Sequence, residues 1–298
     1  MTDQTTERPT MQEPRLRHVQ CLSPRGLHRM AYWEWGDPRN ARVLICAHGL
    51  TRQGRDFDTL ADSLCEQFRV VCPDVVGRGQ SDWLADPSGY NVPAYVADMV
   101  TLLARLDTDA VSWFGTSMGG LIGLGLASLP KSPVVRLVLN DIGPTLQVEA
   151  LNRIGAYVGV SPRWATLDEA ADYMLSISRG FGPHTREQWL ALSRPQIKPE
   201  GDGFVFRVDP GIAVPFRAVT PAAAAAGEAM LWAAYDSLRC PTLLLRGAES
   251  DLLGRETALA MTQRGPKARL VEFAGVGHAP TIIAPDQVAV VREFLLSP

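Results

Sequence analysis

The stretch from Gly115 to Gly120 limits the fold of this 298-residue chain more than any other feature. Ser117 lies two residues after one glycine and two residues before another, with apolar runs at 110–114 and 121–127 on either side. A buried strand, a sharp turn and a packed helix fit this pattern, because glycine allows the close backbone contact that such a turn requires. The turn raises the serine hydroxyl above the end of a sheet, where the first amides of the helix favour negative charge.

The length fits one large α/β domain, or a domain with a sizeable insertion. Apolar residues make up 46% of the chain and charged residues 20%, which is ordinary for a soluble globular protein. A formal net charge of -3 gives no reason to expect a nucleic acid or an anionic membrane as partner.

The five cysteines lack C-x-x-C spacing, so we expect free thiols rather than disulfides or a metal site. The polar N-terminus has no apolar signal segment, and no apolar run is long enough to span a membrane. We therefore predict a cytoplasmic protein in which residues 1–15 form a disordered tail.

Apolar runs typical of strands alternate with amphipathic stretches typical of helices over most of the chain. The predicted strands are 17–22, 27–35, 43–47, 68–73, 110–114, 134–139, 241–247 and 268–273, and the predicted helices are near 56–67, 92–106, 121–127, 255–264 and 285–296. This alternation predicts an α/β fold, with a mostly parallel twisted sheet and helices on both of its faces.

The alternation stops between residues 145 and 238. Helical patterns cover 146–157, 167–178 and 186–192, and one short piece at 204–208 has the alternation of an extended segment. We predict a core domain formed by 16–144 and 239–298, and a helical cap domain formed by 145–238.

A serine hydroxyl is a weak nucleophile at neutral pH and needs a base, which in turn needs an acid to orient it. The carboxyl ends of parallel strands meet at one edge of a sheet, and the loops there carry the functional residues. His278 is the best candidate for the base, because it lies in a glycine-flanked loop after a late strand. Asp251, one short loop beyond the strand at 243–245, is our prediction for the acid.

Two other acids compete with Asp251 for this role. Asp141 ends the strand that precedes the insertion, and Glu249 lies in the same loop as Asp251. All three lie between the serine and the histidine in the chain. We prefer Asp251 because it follows the strand at 243–245 by a short loop and fits the order serine, acid, histidine.

A serine nucleophile also requires two N–H groups to hold the oxyanion that forms at the attacked carbonyl. The backbone amides of Met118, at the start of the helix, and of Leu50 are the predicted donors, and Gly49 lets the backbone approach the site. We expect His48 to be structural, with its ring bonded to the backbone of its own loop.

These motifs resemble those of the α/β-hydrolase superfamily over residues 27–298. The resemblance is carried by His48-Gly49, Pro73-Asp74 with Gly77-Arg78-Gly79-Gln80-Ser81, Gly115 to Gly120, Arg246 to Asp251, and Gly275 to Pro280. It implies an α/β-hydrolase fold with a cap, and a triad in the chain order Ser117, Asp251, His278. Dehalogenases and epoxide hydrolases of this fold carry aspartate in place of Ser117, so the resemblance favours other chemistry.

We predict a serine hydrolase that cleaves a small carboxylic ester or lactone through an acyl-enzyme, with water as co-substrate and no metal or other cofactor. Two alternatives stay open: a hydrolase of carbon–carbon bonds in ring-fission products, and a non-catalytic receptor with the same triad. The former group usually has a longer glycine-rich oxyanion loop than this chain. The sequence also leaves a homodimer open. Candidate substrate-binding residues are Thr51, Arg52, Phe181, Trp189, Ile212, Phe216 and Val276.

Overall fold

The computed structural model describes residues 13–217 and 220–297. The strands are β1 (Arg15–Ser23), β2 (Gly26–Trp35), β3 (Val43–Ala47), β4 (Arg69–Pro73), β5 (Val111–Thr116), β6 (Val134–Asn140), β7 (Arg163–Trp164), β8 (Ile197–Glu200), β9 (Gly203–Phe206), β10 (Thr242–Gly247) and β11 (Arg269–Phe273). The α-helices are α1 (Asp58–Leu64), α2 (Val92–Leu106), α3 (Met118–Ala127), α4 (Val148–Tyr157), α5 (Leu167–Ile177), α6 (Arg186–Ser193), α7 (Ala213–Arg217), α8 (Pro221–Ser237), α9 (Arg255–Met261) and α10 (Pro285–Leu296).

The larger sheet has eight strands in the order β1-β2-β4-β3-β5-β6-β10-β11. The strands from β4 to β11 in this order are parallel to one another. The hairpin of β1 and β2 extends this sheet at one end, and β2 pairs with β4 in the antiparallel sense. The predicted α/β fold with a mostly parallel sheet is therefore confirmed.

Helices cover both faces of this sheet because successive strand residues point in opposite directions. In β3, Ile45 packs into the core cluster that also contains residues of α2, α3 and α9. Its neighbours Leu44 and Cys46 pack into a second cluster, with residues of α1 and α10. The fully apolar sequence of β3 follows from this burial on both sides.

The predicted disordered tail at 1–15 lies mostly outside the described residues, which begin at position 13. The strand β1 already starts at Arg15 and pairs with β2 along its full length. In the part of the chain that the structure describes, no helix has the length and apolar character needed to cross a membrane.

The insertion leaves the sheet after β6 and returns at β10, two strands that are neighbours in the sheet. It contains α4 to α8, and also a small antiparallel sheet of order β7-β9-β8. The predicted extended piece at 204–208 overlaps β9, but β7 and β8 were not predicted. β7 has only two residues, and Pro199 within β8 argues against a strand. Trp164, Met174 and Ile197 pack together as a separate small core beneath this sheet.

Candidate active site

Ser117 lies on a strained turn between β5 and α3. Its backbone has φ 51° and ψ -116°, a left-handed φ that non-glycine residues rarely adopt. The glycines around it are required by close packing: a Cβ on Gly115 would lie 2.3 Å from the carbonyl oxygen of Gly119, and one on Gly119 would lie 1.9 Å from that of Ala47. The serine amide donates to the carbonyl of Asn140 at 3.0 Å, so β6 holds the turn in place.

His278 and Ser117 are within hydrogen-bond distance. His278 Nε2 lies 3.0 Å from Ser117 Oγ, and His278 Nδ1 lies 2.7 Å from a carboxylate oxygen of Asp141. Because an ionised carboxylate can only accept, Nδ1 carries the proton and Nε2 is free to accept the serine proton. The arrangement has the geometry of a nucleophile, a base and an orienting acid.

The acid in contact with His278 is Asp141, so the prediction that Asp251 orients the histidine is wrong. Asp141 is fully buried at the end of β6. Its Oδ1 accepts from the amide of Gly247 at 2.9 Å, and its Oδ2 accepts from the hydroxyl of Ser250 at 2.5 Å as well as from His278. Three donors thus compensate the carboxylate for its loss of water.

Asp251 instead pairs with Arg153 of the insertion. The guanidinium donates from Nε and Nη2 to the two carboxylate oxygens, at 2.7 and 2.9 Å. The Asp251 side chain is 48% exposed. It fails as the acid because the loop after β10 turns at Ser250 and directs that hydroxyl, not the next carboxylate, to Asp141.

Asn140 is a further residue that the sequence analysis missed. Its side-chain amide donates to the hydroxyl of Thr116 at 3.0 Å and to the carbonyl of Pro280 at 2.8 Å. One side chain therefore ties the strand before the serine to the loop that carries His278. Its position directly before Asp141, at the carboxyl end of a core strand, was the available signal.

The predicted oxyanion amides lie beside Ser117. A Cβ built on Gly49 would lie 3.8 Å from the serine Cβ, so the Leu50 loop approaches the nucleophile closely. Among the described residues, no acceptor bonds the amide of Leu50 or that of Met118. These two N–H groups are free to bind a ligand, as a pair of oxyanion donors must be.

Arg78 contacts both of the residues that were predicted to supply the oxyanion amides. The fully buried guanidinium donates from Nε to the carbonyl of Leu50 at 2.8 Å, and its Nη2 lies 3.5 Å from Met118 Sδ. Its Nη1 donates to the carbonyl of Val76 and to the hydroxyl of Tyr95. No role beyond structure was predicted for Arg78, and its hydrogen bond to Leu50 holds the loop that carries the Leu50 amide.

His48 has the structural role that was predicted for it. Its Nδ1 lies 2.7 Å from the carbonyl of Gly49, and its Nε2 accepts from the amide of Val75 at 2.9 Å. Complete burial lowers the pKa of His48 to about 3, so the ring stays neutral and spans two loops of the catalytic edge.

A cavity of about 70 Å³ opens over Ser117 and His278, and the insertion forms most of its far wall. Three of the predicted substrate-binding residues line it: Thr51, Arg52 and Phe181. The other lining residues are Gly49, Leu50, Thr116, Arg153, Ile154, Tyr157, Met174, Ile177, Ser178, Gln196, Phe206 and Ala279. The lining residues of α4 lie on one face of that helix, and those of α5 lie on one face of their helix. Such spacing in a sequence predicts that a helix face packs against something, but it does not predict which part of the protein that face contacts.

The other four predicted substrate-binding residues do not line this cavity. Trp189 stacks on Phe181 with ring centroids 6.0 Å apart, and so supports a wall residue from behind. Ile212 and Phe216 pack into the main core cluster. Val276 is buried, and a Cβ on Gly182 of the insertion would lie 2.9 Å from its methyl carbon.

Arg52, which was predicted to bind substrate, has a local acidic partner. Its guanidinium pairs with Asp56 at 2.6 and 2.7 Å, and Arg55 pairs with Asp58 in the same way.

Among the described residues, Cys21, His28 and Asp98 could together hold a metal ion, but none of them lines the cavity. Burial next to Asp98 raises the pKa of the Cys21 thiol to about 12, which disfavours the thiolate that a metal requires.

Comparison with known proteins shows the family of this chain. The sequence profile of the alpha/beta hydrolase family matches residues 44–291. A 3-hydroxybutyrate-oligomer hydrolase from Cupriavidus necator is 58% identical over 285 residues, which cover 94% of this chain and 97% of that protein. A 2-hydroxymuconate semialdehyde hydrolase from a Pseudomonas species is 29% identical, over 72% of this chain and 71% of that protein.

A crystal structure of an alpha/beta hydrolase from Novosphingobium aromaticivorans superimposes with a TM-score of 0.83, at 34% identity. The match covers 96% of this chain and 99% of that one. The chain therefore belongs to the alpha/beta hydrolase family, and it is a hydrolase.

Proposed function

We propose that this enzyme hydrolyses short linear esters of hydroxy acids, of which 3-hydroxybutyrate oligomers are the type. The observation that carries the proposal is the continuous hydrogen-bonded series from Ser117 through His278 to the buried Asp141. The choice of substrate is supported by the 58% identity to a 3-hydroxybutyrate-oligomer hydrolase over nearly the whole of both chains.

The chemistry runs in two steps. Ser117 Oγ attacks the ester carbonyl while His278 Nε2 takes the serine proton, and the leaving alcohol then receives that proton from His278. His278 next removes a proton from water, which attacks the acyl-enzyme and releases the acid. Asp141 keeps the proton of the neutral ring on Nδ1 and stabilises the imidazolium that forms in each step.

The oxyanion is held by the amides of Leu50 and Met118. Each donor of this kind is worth about 3 kcal/mol in the transition state. Arg78 supports them as a positioning residue, since it bonds the carbonyl of Leu50 and contacts the side chain of Met118. The start of α3 adds the positive end of a helix dipole at the same point.

The insertion serves as a cap that sets the substrate. Its helices α4 and α5 supply most of the wall opposite Ser117. A cavity of about 70 Å³ is far smaller than the roughly 300–1,000 Å³ of sites for larger ligands. We infer a small acyl group, and a cap that moves to admit the rest of the substrate.

The division into core and cap, a cytoplasmic location and a homodimer stay predictions.

The test is a substrate panel with purified enzyme: the 3-hydroxybutyrate dimer and trimer, a γ-lactone, p-nitrophenyl butyrate, and a vinylogous diketo acid that reports carbon–carbon cleavage. We expect the highest kcat/KM on the oligomers. Turnover of the diketo acid alone would replace the proposal by carbon–carbon hydrolysis, and ligand binding without any turnover would replace it by a receptor.

Ser117→Ala supplies the first mutational prediction. Loss of the nucleophile should lower kcat on the oligomers by about a million-fold, because His278 and Asp141 contribute to catalysis only through the serine. A fluorophosphonate probe should label the wild-type enzyme at Ser117 and leave the variant unlabelled in mass spectrometry. Activity retained in a folded, unlabelled variant would end the serine mechanism.

A further inference from the structure

Among the described residues, the wall of the cavity contains one partly exposed cation, and the proposed mechanism does not use it. Arg153 of α4 lines the cavity together with Ser117 and His278, and its side chain is 42% exposed. Tyr157, one helical turn further on, lines the same cavity. Burial raises the pKa of Tyr157, so the hydroxyl stays protonated and can donate.

Asp251 occupies only part of the Arg153 guanidinium. The carboxylate binds side-on, at Nε and Nη2. A guanidinium has a second edge formed by Nη1 and Nη2, which fits another carboxylate with two parallel hydrogen bonds. Among the residues described, Asp251 is the one carboxylate paired with Arg153. The pair with Asp251 holds Arg153 in place across the boundary between the insertion and the body.

We propose that Arg153 and Tyr157 form a subsite for the free carboxylate of the substrate. The inference rests on the proposed function and names the form of substrate that the site selects: oligoesters with an ionised carboxyl end rather than neutral esters. Arg52 is the other arginine of the cavity wall, and it is only 9% exposed. Its Nε and Nη2 donate to Asp56, and Nη2 also donates to the carbonyl of Leu192, so it is less suited than Arg153 to bind a substrate carboxylate.

The chemistry of the substrate determines whether this subsite binds the acyl side or the alcohol side of the ester. In a linear oligomer of a hydroxy acid, the free carboxylate always lies on the alcohol side of each ester bond. Arg153 therefore holds the leaving group, which departs with the proton from His278 when the acyl-enzyme forms. The second step, attack of water on the acyl-enzyme, takes place after the carboxylate has left.

This order gives a sharp test with three substrates that share one acyl group. They are the 3-hydroxybutyrate dimer as free acid, its methyl ester, and p-nitrophenyl 3-hydroxybutyrate. Arg153→Gln should lower kcat/KM on the free acid by about tenfold, the loss of a charge-assisted hydrogen-bonded pair at a partly exposed site. It should leave the methyl ester and the aryl ester within about twofold of wild type, because the acyl-enzyme and its hydrolysis are unchanged.

Two further variants complete the test. Tyr157→Phe should show the same selectivity for the free acid with a smaller loss, about threefold, because one hydrogen bond from an uncharged donor is removed while Arg153 remains. Arg186→Gln is the matched control: Arg186 is another arginine of the insertion, 41% exposed and paired with Asp168 and Asp172, but it does not line the cavity. It should leave all three substrates unchanged.

Two failures can be told apart. If the wild-type enzyme cleaves the aryl ester but neither form of the dimer, the proposed function is wrong, and the subsite fails with it. If the wild-type enzyme cleaves the dimer but Arg153→Gln reduces the free acid and its methyl ester equally, the proposed function stands and the carboxylate subsite is overturned.

Discussion

The loops after β6 and β10 begin on neighbouring strands at one edge of the sheet, and each contains an aspartate. Asp141 in the first loop has no solvent exposure and accepts from His278, Ser250 and Gly247. Asp251 in the second is half exposed and pairs with an arginine of the insertion. The position of the two aspartates along the chain does not show which of them orients His278. The hydrogen-bond donors around each carboxylate do show it.

The difference matters for catalysis because only a preorganised carboxylate can fix a histidine tautomer. Asp141 is held by donors from β10 and from the turn that follows it, so it cannot rotate away from His278. The two loops are therefore complementary: the second supplies the hydrogen bonds that make the first one rigid.

Asp141→Asn gives the largest effect in this comparison. The asparagine amide would donate towards His278 Nδ1 and favour the tautomer with the proton on Nε2, which cannot accept from Ser117. We expect kcat to fall by about four orders of magnitude. Steady-state kinetics on p-nitrophenyl butyrate, with circular dichroism as a check on folding, measures it. A loss of less than tenfold would show that the acid is elsewhere.

The sequence predicted that Ser117 and His278 would meet at one edge of the sheet, because each has a local pattern. Ser117 is marked by its glycines, and His278 by its loop after the last core strand. The choice between Asp141 and Asp251 had no such pattern, since both follow core strands. It depends on how the turn at Ser250 folds back onto the end of β6, which is a tertiary contact.

The walls of the cavity were harder to predict for a similar reason. Four aromatic and aliphatic residues of the insertion were predicted to bind substrate, and Phe181 does line the cavity. Ile212 and Phe216 are equally apolar but pack into the main core. A helical pattern shows that a face is buried, but the partner of that face is decided by the arrangement of several helices.

Ser250→Ala tests the support that the second loop gives to the first. The variant removes the 2.5 Å hydrogen bond to Asp141 Oδ2 and also the acceptor for the amides of Leu252 and Leu253. We expect kcat to fall by about tenfold, the value of one charge-assisted hydrogen bond. Ser250→Thr keeps the hydroxyl and should recover most of the rate. If both variants match wild type, Asp141 needs no support from this loop.

The loops after β3 and β4 show that burial alone does not make a group catalytic. His48 and Asp74 are as buried as Asp141, but they bond mainly to backbone amides and carbonyls. Burial lowers the pKa of His48 to about 3 and raises that of Asp74 to about 6. We therefore expect their titration to affect stability, with opposite signs.

As the pH falls below about 6.5, the unfolded chain takes up a proton at His48 and the folded chain does not, so stability is lost between about pH 6.5 and 3. Asp74 takes up its proton in the folded chain first, and this adds stability between about pH 6 and 4. Between pH 6.5 and pH 5, the titration of His48 lowers the free energy of unfolding by about 2 kcal/mol, and that of Asp74 raises it by about 1 kcal/mol.

Asp74→Asn isolates the second contribution. The free energy of unfolding, from urea titrations at pH 6.5 and pH 5, should fall more steeply in the variant than in wild type, by about 1 kcal/mol over this interval. The comparison uses the difference between the two pH values within each protein, so the loss of hydrogen bonds in the variant cancels. An unchanged slope would show that Asp74 does not titrate in this range.

Asp251→Asn should have the smallest effect on turnover of a neutral ester. Asp251 is half exposed, its partner is Arg153 rather than His278, and an exposed ion pair contributes less than about 1 kcal/mol to stability. We expect kcat on p-nitrophenyl butyrate within about twofold of wild type, because no group that touches the reacting atoms moves. The same isosteric change is then severe in one loop and mild in its neighbour. A loss of a thousand-fold with the fold intact would return the role of acid to Asp251 and remove the distinction between the two loops.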